Sequence, residues 1–159
     1  MDLKIKTENF RFKGRANGII INNGKVLAVK MGHNNFYCLP GGHIHLGENS
    51  YDGVLREVEE ETGIKGIDAK LVYVVENFFK NAQNQTMHEI CFYYLMKMSD
   101  FGEKAKDFSL VENDEGKLID MDFRWIDLNN INEYKFKPMC VLERIQNGKF
   151  DLEHIIIND

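Results

Sequence analysis

The chain has 159 residues, of which 43% are hydrophobic and 28% charged, and its formal net charge is −5. These values are typical of one globular domain with its own core, so we expect a single domain over residues 1–159 and exclude a disordered or fibrous chain. The acidic balance disfavours a polymeric nucleic acid as the partner, because that binding depends on Lys and Arg that neutralise backbone phosphates.

A β-hairpin is predicted near the start of the chain. Residues 16–21 and 25–31 are apolar, β-branched runs separated by Asn22-Asn23-Gly24, and an Asn-Gly pair between such runs is the strongest short-range hairpin signal. A short strand is predicted over residues 36–39, where Pro40-Gly41-Gly42 ends it. The two glycines allow the backbone to approach a ligand closely.

A helix is predicted over residues 50–62, with Ser50 as its N-cap and Gly63 as the left-handed residue that ends it. At about 100° per residue, one face of this helix is apolar and consists of Val54, Leu55 and Val58. Three glutamates at positions i, i+3 and i+4 form a stripe directly beside that face, namely Glu57, Glu60 and Glu61. We therefore expect these carboxylates at the edge of the core.

The position of the three carboxylates predicts a metal site. A helix charged only for solubility would carry its charges opposite the apolar face. Glutamates at neighbouring helical positions also repel one another unless a cation lies among them. Hard oxygen ligands in this number suit magnesium, with manganese as the alternative, and these ions also hold substrate phosphates.

Strands dominate the second half of the predicted fold. Residues 99–117 are acidic with little periodicity, which predicts a long loop. The remaining predicted elements are an antiparallel pair of strands over residues 71–79 and 87–98, a strand over 118–126 around Trp125, a helix between Pro138 and Gly148, and a last strand over 154–157. Strands with two interspersed helices indicate an α+β fold.

The segment from Gly42 to Ile64 has the sequence GHIHLGENSYDGVLREVEEETGI. It follows the spacing Gly-x5-Glu-x7-Arg-Glu-aliphatic-x-Glu-Glu-x-Gly-aliphatic and resembles the Nudix box at every defined position. With each residue type at roughly 5 to 7% of an average chain, such a match would arise by chance in about one chain in a million or fewer. The flanking residues 39–41 and 124–126 are similar to the family as well.

The resemblance implies an α/β/α sandwich around a mixed β-sheet, and hydrolysis of a nucleoside diphosphate linked to another moiety. In this reaction a metal-activated water attacks one phosphorus of the pyrophosphate, without a covalent intermediate. Arg56 is implied to hold a catalytic glutamate in place, and Glu48 to be the partner of Arg56. Metal ligation is implied for the Gly41 carbonyl and for the side chains of Glu57, Glu60 and Glu61.

The general base is left open between a box glutamate, with Glu57 and Glu60 as the candidates, and an acidic residue of a later loop. The later candidates are Glu112, Asp114 and Glu115, and each is equally well explained as part of a solvated acidic loop. Glu89 is interpreted as a paired surface residue, with a position at the site as the alternative.

Substrate contacts are predicted for four residues around the box: Phe36, Tyr37, Gly42 and His43. Tyr37 is one of several candidate stacking partners for a base, with Phe10, Phe12, Phe78, Phe79 and Tyr93, although strand aromatics more often belong to a core. His43 and His45 alternate along a short strand, a pattern more typical of polar strand residues than of metal ligands.

The favoured function is a magnesium-dependent pyrophosphohydrolase with a small-molecule nucleotide substrate, such as a nucleoside triphosphate or a nucleotide sugar. The alternatives are a non-catalytic Nudix-fold regulator that binds a nucleotide, and a plain acidic interaction domain. The proline that often marks ADP-ribose hydrolases after the box is missing, because the chain's prolines are Pro40 and Pro138. With separated cysteines and no membrane-length apolar run, we expect a cytoplasmic protein without a membrane partner; a homodimer is compatible with the sequence.

Overall fold

The structure is a computed structural model that describes residues 1–159, with ten β-strands and two α-helices. The strands are β1 (Lys4–Lys6), β2 (Phe10–Ile19), β3 (Ile21–Asn22), β4 (Lys25–Met31), β5 (Gly41–His43), β6 (Gly66–Lys80), β7 (Thr86–Met98), β8 (Phe108–Asp114), β9 (Lys117–Asp127) and β10 (Glu153–Asn158). The helices are α1 (Ser50–Thr62) and α2 (Met139–Gln146). Neither helix has the length and apolar character needed to span a membrane.

Two β-sheets form the scaffold. The larger sheet has the order β1-β2-β7-β6-β10, and β5 pairs with β2 beside β1. In this sheet β2 is parallel to β7 and β10 is parallel to β6, whereas the other pairs are antiparallel. The smaller sheet is antiparallel with the order β3-β4-β9-β8. The predicted α+β fold with a mixed sheet is therefore confirmed.

The core consists of two hydrophobic clusters, and each helix packs into one of them. The first cluster lies between the sheets and contains Val141, Leu142 and Ile145 of α2. The second contains Val54 and Val58 of α1 together with side chains of β4 and β9. Burial of each such side chain contributes about 1.5–3 kcal/mol. Because α1 packs on β2 and β5, the edge of its apolar face is held against the Gly41-Gly42 strand.

The hairpin turn lies where it was predicted, whereas the start of α1 differs from the prediction by one residue. The hairpin turn is confirmed, with Asn23 and Gly24 both at positive φ between β3 and β4. The N-cap of α1 is Asn49, not Ser50, because the Asn49 Oδ1 accepts a hydrogen bond from the Asp52 N–H at 2.9 Å. The Ser50 hydroxyl instead hydrogen-bonds the Tyr94 hydroxyl at 2.7 Å.

Two predicted segments are corrected by the structure. Residues 36–39 form no strand and make only isolated bridges, from Cys38 to Val29 and from Tyr37 to Phe136. The predicted long loop over residues 99–117 is wrong, because β8 occupies its second half and pairs with β9 as an antiparallel hairpin.

Candidate active site

Gly42 lets α1 approach β5 very closely, and Gly41 lets β2 do the same. A Cβ atom on Gly42 would lie 2.1 Å from Oε2 of Glu57, and one on Gly41 would lie 2.3 Å from the Ala16 carbonyl oxygen. Gly41 also has φ of 148°, which side chains rarely allow. Any larger residue at position 42 would therefore displace the Glu57 carboxylate.

Arg56 connects the carboxylates of the box. Its Nε and Nη2 donate to the two oxygens of Glu48 at 2.7 and 2.8 Å, and its Nη1 donates to Glu57 at 2.7 Å and to Glu60 at 3.1 Å. Its Nη2 also donates to the His43 carbonyl at 3.0 Å. These hydrogen bonds hold the pKa of Glu48 down at about 2. The expected repulsion between Glu57 and Glu60 is thus offset by a cation of the chain itself.

Glu61 is placed differently from its two neighbours. Its side chain is only 8% exposed. One oxygen accepts the Gly41 N–H at 2.5 Å, and the other, Oε1, is buried without any hydrogen-bond partner. Burial raises the pKa of Glu61 to about 8. A buried carboxylate oxygen without a partner is costly, so this atom is free for a ligand that carries positive charge.

These groups fit a divalent cation at the edge of α1. The free Glu61 oxygen and the Glu57 carboxylate against Gly42 both supply hard oxygen donors at the same helix edge. The carboxylates are not gathered around one point in this structure, because Arg56 holds Glu57 and Glu60 while Gly41 holds Glu61. Metal ligation by these residues and by the Gly41 carbonyl stays a prediction.

The three later acidic candidates lie on the β8–β9 hairpin rather than in a loop. Glu112 lies on the same strand face as Leu110, which packs against the cluster that contains α1. Its charge adds to burial in raising the pKa of Glu61. Asp114 and Glu115 lie at the hairpin tip, with Glu115 in the turn at positive φ. The fold therefore brings Glu112 to the box.

The predicted substrate contacts are only partly brought together. Phe36 lines a cleft beside the box, whereas Tyr37 is 8% exposed and packs edge-on against Tyr134 in the core. The interpretation of Tyr37 as a stacking partner is therefore corrected, because its ring has no open face. His43 is partly buried, which lowers its pKa to about 4, and its side chain lies 3.9 Å from Asp2.

The cleft beside the box has a volume of about 830 Å³ and was not predicted from the sequence. Its polar lining includes Arg15, Asn17, Asn77 and Glu89. Glu89 is 9% exposed and forms no ion pair, so its interpretation as a paired surface residue is wrong. One signal of the cleft is present in the sequence. The polar residues Lys13, Arg15 and Asn17 alternate along β2, although the end of this strand is buried.

A family model described as NUDIX domain matches residues 12–140. The uncharacterized Nudix hydrolase YvcI of Bacillus subtilis (strain 168) is 27% identical over 122 residues, which cover 77% of this chain and 70% of that protein. The ADP-ribose pyrophosphatase of Methanocaldococcus jannaschii is 42% identical over 50 residues, which cover 30% of each chain.

Solved structures show the same fold. A MutT protein from Bacillus halodurans superposes with a TM-score of 0.60 at 15% identity and covers 89% of both chains. A NUDIX hydrolase from Nitrosomonas europaea superposes with a TM-score of 0.59 at 20% identity, over 92% of this chain and 79% of that one. At such identities the likeness extends to the fold alone.

Proposed function

Because this chain belongs to the NUDIX domain family, we propose that it is a magnesium-dependent hydrolase that cleaves the pyrophosphate linkage of a nucleoside diphosphate derivative. One observation carries the proposal. The Glu57 carboxylate lies against Gly42 while Glu61 offers an unpartnered oxygen at the same edge of α1. One protein that is similar to this chain is an ADP-ribose pyrophosphatase, a name that refers to the same chemical class of linkage.

Glu57, Glu60 and Glu61 would hold Mg²⁺ or Mn²⁺, together with the Gly41 carbonyl. The bound ion would neutralise the charge that develops on the phosphate oxygens and make a water molecule more acidic. Arg56 holds Glu57 and Glu60 through hydrogen bonds from one nitrogen, and Glu48 fixes Arg56 from the other side. Arg56 thus keeps Glu57 and Glu60 beside each other before any ion binds.

The other residues would bind the substrate and move the proton. Glu112, on the face of β8 that points toward α1, would accept a proton from the attacking water. Arg15 lies in the cleft next to the box and is free to donate hydrogen bonds to a phosphate. The cleft itself has the volume of a small-molecule site and would take the nucleoside, with Phe36 in its wall.

The purified protein is expected to hydrolyse at least one member of a panel of nucleoside triphosphates, nucleotide sugars and ADP-ribose in the presence of magnesium. EDTA should abolish turnover and added Mg²⁺ or Mn²⁺ should restore it, because the carboxylates otherwise repel an anionic substrate. Release of phosphorylated products is measured by chromatography. A panel without turnover in either metal, combined with nucleotide binding, would establish the regulator alternative instead.

Glu112→Gln is expected to lower kcat about 100-fold or more, because the amide cannot accept the proton. Asp114→Asn and Glu115→Gln are matched controls on the same hairpin, and both should stay near wild type because they lie at the tip. Metal affinity is measured in parallel and should change little in all three variants. If Glu112→Gln turns over at the wild-type rate, the base is a box glutamate.

A further inference from the structure

Three polar side chains form the floor of the cleft. Arg15 on β2, Glu89 on β7 and Asn77 on β6 belong to neighbouring strands of the larger sheet. Asn77 and Glu89 are direct cross-strand partners, so their Cβ atoms lie about 5 Å apart on one face. Arg15 is paired with Cys91, two residues beyond Glu89, and therefore points to the same face.

The floor lacks internal partners. Arg15 Nε and Asn77 Oδ1 are both buried without a hydrogen-bond partner. Glu89 is nearly buried and makes no side-chain hydrogen bond or ion pair, although Lys13 on β2 is its cross-strand neighbour. Buried polar groups in folded proteins are almost always paired, so these two unpaired atoms, beside the Glu89 carboxylate in one cleft, indicate polar atoms of a ligand.

The strand order determines how a bound nucleotide would lie in the cleft relative to the box. The box lies at β5, and β2, β7 and β6 follow in that order across the sheet. At roughly 4.8 Å per strand, Arg15 is about one strand from β5, and Glu89 is about two strands away. A nucleotide with its phosphates at the box therefore passes Arg15 first and places its base at Glu89 and Asn77.

Glu89 limits which bases fit there. An ionised carboxylate only accepts hydrogen bonds, whereas Asn77 can rotate its amide to donate or accept. An exocyclic amino group provides two N–H donors, one for Glu89 and one for the Asn77 oxygen. An oxo group in the same position is itself an acceptor, so it cannot pair with Glu89 or with the Asn77 oxygen, and only the single ring N–H beside it remains as a donor.

We infer that this cleft selects nucleotides whose base carries an amino group (adenine, cytosine or guanine) over the corresponding oxo base. Glu89 determines this selection, and Asn77 supports it. The inference rests on the proposed function, because it names the substrate class of the same site.

Equilibrium binding of nucleoside monophosphates tests the inference without any turnover. Calorimetry with AMP against IMP, and with CMP against UMP, should show that the amino member of the pair that binds is favoured about tenfold or more, as a missing hydrogen-bond partner in a buried site demands. Equal affinities, or no binding of any of the four at millimolar concentration, would overturn it. Hydrolysis of ATP, ITP, CTP and UTP is measured separately, so that binding selectivity without hydrolysis refutes only the proposed function.

The Glu89→Gln variant tests whether Glu89 is the residue that determines the base selectivity. The amide presents an N–H that pairs with an oxo group, so the preference should fall to about threefold or less while the fold persists by thermal melting. Glu76→Gln is the matched control, because Glu76 precedes Asn77 on β6, points away from the cleft and contacts His154. It should keep the wild-type preference. Asn77→Ala is a second variant in case Glu89→Gln unfolds, and it should also reduce the preference for the amino base. If the folded variants kept the wild-type preference, Glu89 and Asn77 would not determine the selectivity.

Discussion

Glu61→Gln is expected to lower turnover roughly 100- to 1,000-fold and yet to stabilise the metal-free protein at neutral pH. The loss of turnover follows from the loss of a buried anionic oxygen at the proposed metal site. The gain in stability follows from burial, since folding places the carboxyl where its charge is unfavourable. The amide retains the hydrogen bond from the Gly41 N–H, so the fold should persist. Magnesium should then raise the melting temperature of the variant less than that of the wild type.

The pH dependence of stability identifies the carboxyl responsible. Folding raises the pKa of Glu61 from 4.5 to about 8, so the folded chain binds this proton more tightly than the unfolded chain. The contribution of Glu61 is fully present below pH 4.5 and is lost as pH rises through about 8, a change on the order of a few kcal/mol. Metal-free wild type should therefore lose more melting temperature between pH 5 and pH 8 than Glu61→Gln.

Glu59→Gln supplies the control for both measurements. Glu59 is exposed on the same helix, and its side chain makes no hydrogen bond or ion pair. Its substitution removes an equal charge and should leave turnover and the pH dependence of melting near wild type. A Glu61→Gln variant with full activity, or one that is less stable than wild type at pH 8 without metal, would exclude Glu61 from the metal site.

The box helix was predictable because its evidence is local. The caps and the 3.6-residue period lie within one segment, and Gly63 ends the helix at φ of 70° as expected. The N-cap differed by one position because Asn49 and Ser50 are both capping residue types. The contacts of Arg56 with Glu48 and Glu57 are also local, since they span eight residues and one residue.

The β8–β9 hairpin and the cleft were not predictable for two different reasons. The hairpin tip is exposed on both faces, with Val111 and Leu118 at 61% and 71% exposure, so it lacks the alternation of a half-buried strand. The cleft floor combines Arg15, Asn77 and Glu89 from three strands that are distant in the chain. Only the register of the parallel and antiparallel pairs places them together.

Arg56→Lys is expected to lower both stability and turnover, because lysine keeps the charge but not the geometry. The guanidinium donates to both oxygens of Glu48 and also to Glu57, Glu60 and the His43 carbonyl. A single ammonium cannot satisfy these partners together. We expect unfolding free energy to fall by about 2 kcal/mol or more and kcat to fall about 100-fold, measured by urea denaturation and by steady-state kinetics.

Glu48→Gln separates the two effects of Arg56. Arg56 lowers the pKa of Glu48 from 4.5 to about 2, so this pair stabilises the fold above pH 4.5 and the stability is lost as pH falls through about 2. Glu48→Gln removes that contribution but leaves the bonds from Arg56 to Glu57 and Glu60 in place. Its stability at pH 7 should therefore fall as in Arg56→Lys, whereas its kcat should fall by a smaller factor. If both variants lost stability and kcat in the same proportion, Arg56 would act only on the fold; if Arg56→Lys kept wild-type kcat, it would not position the glutamates at all.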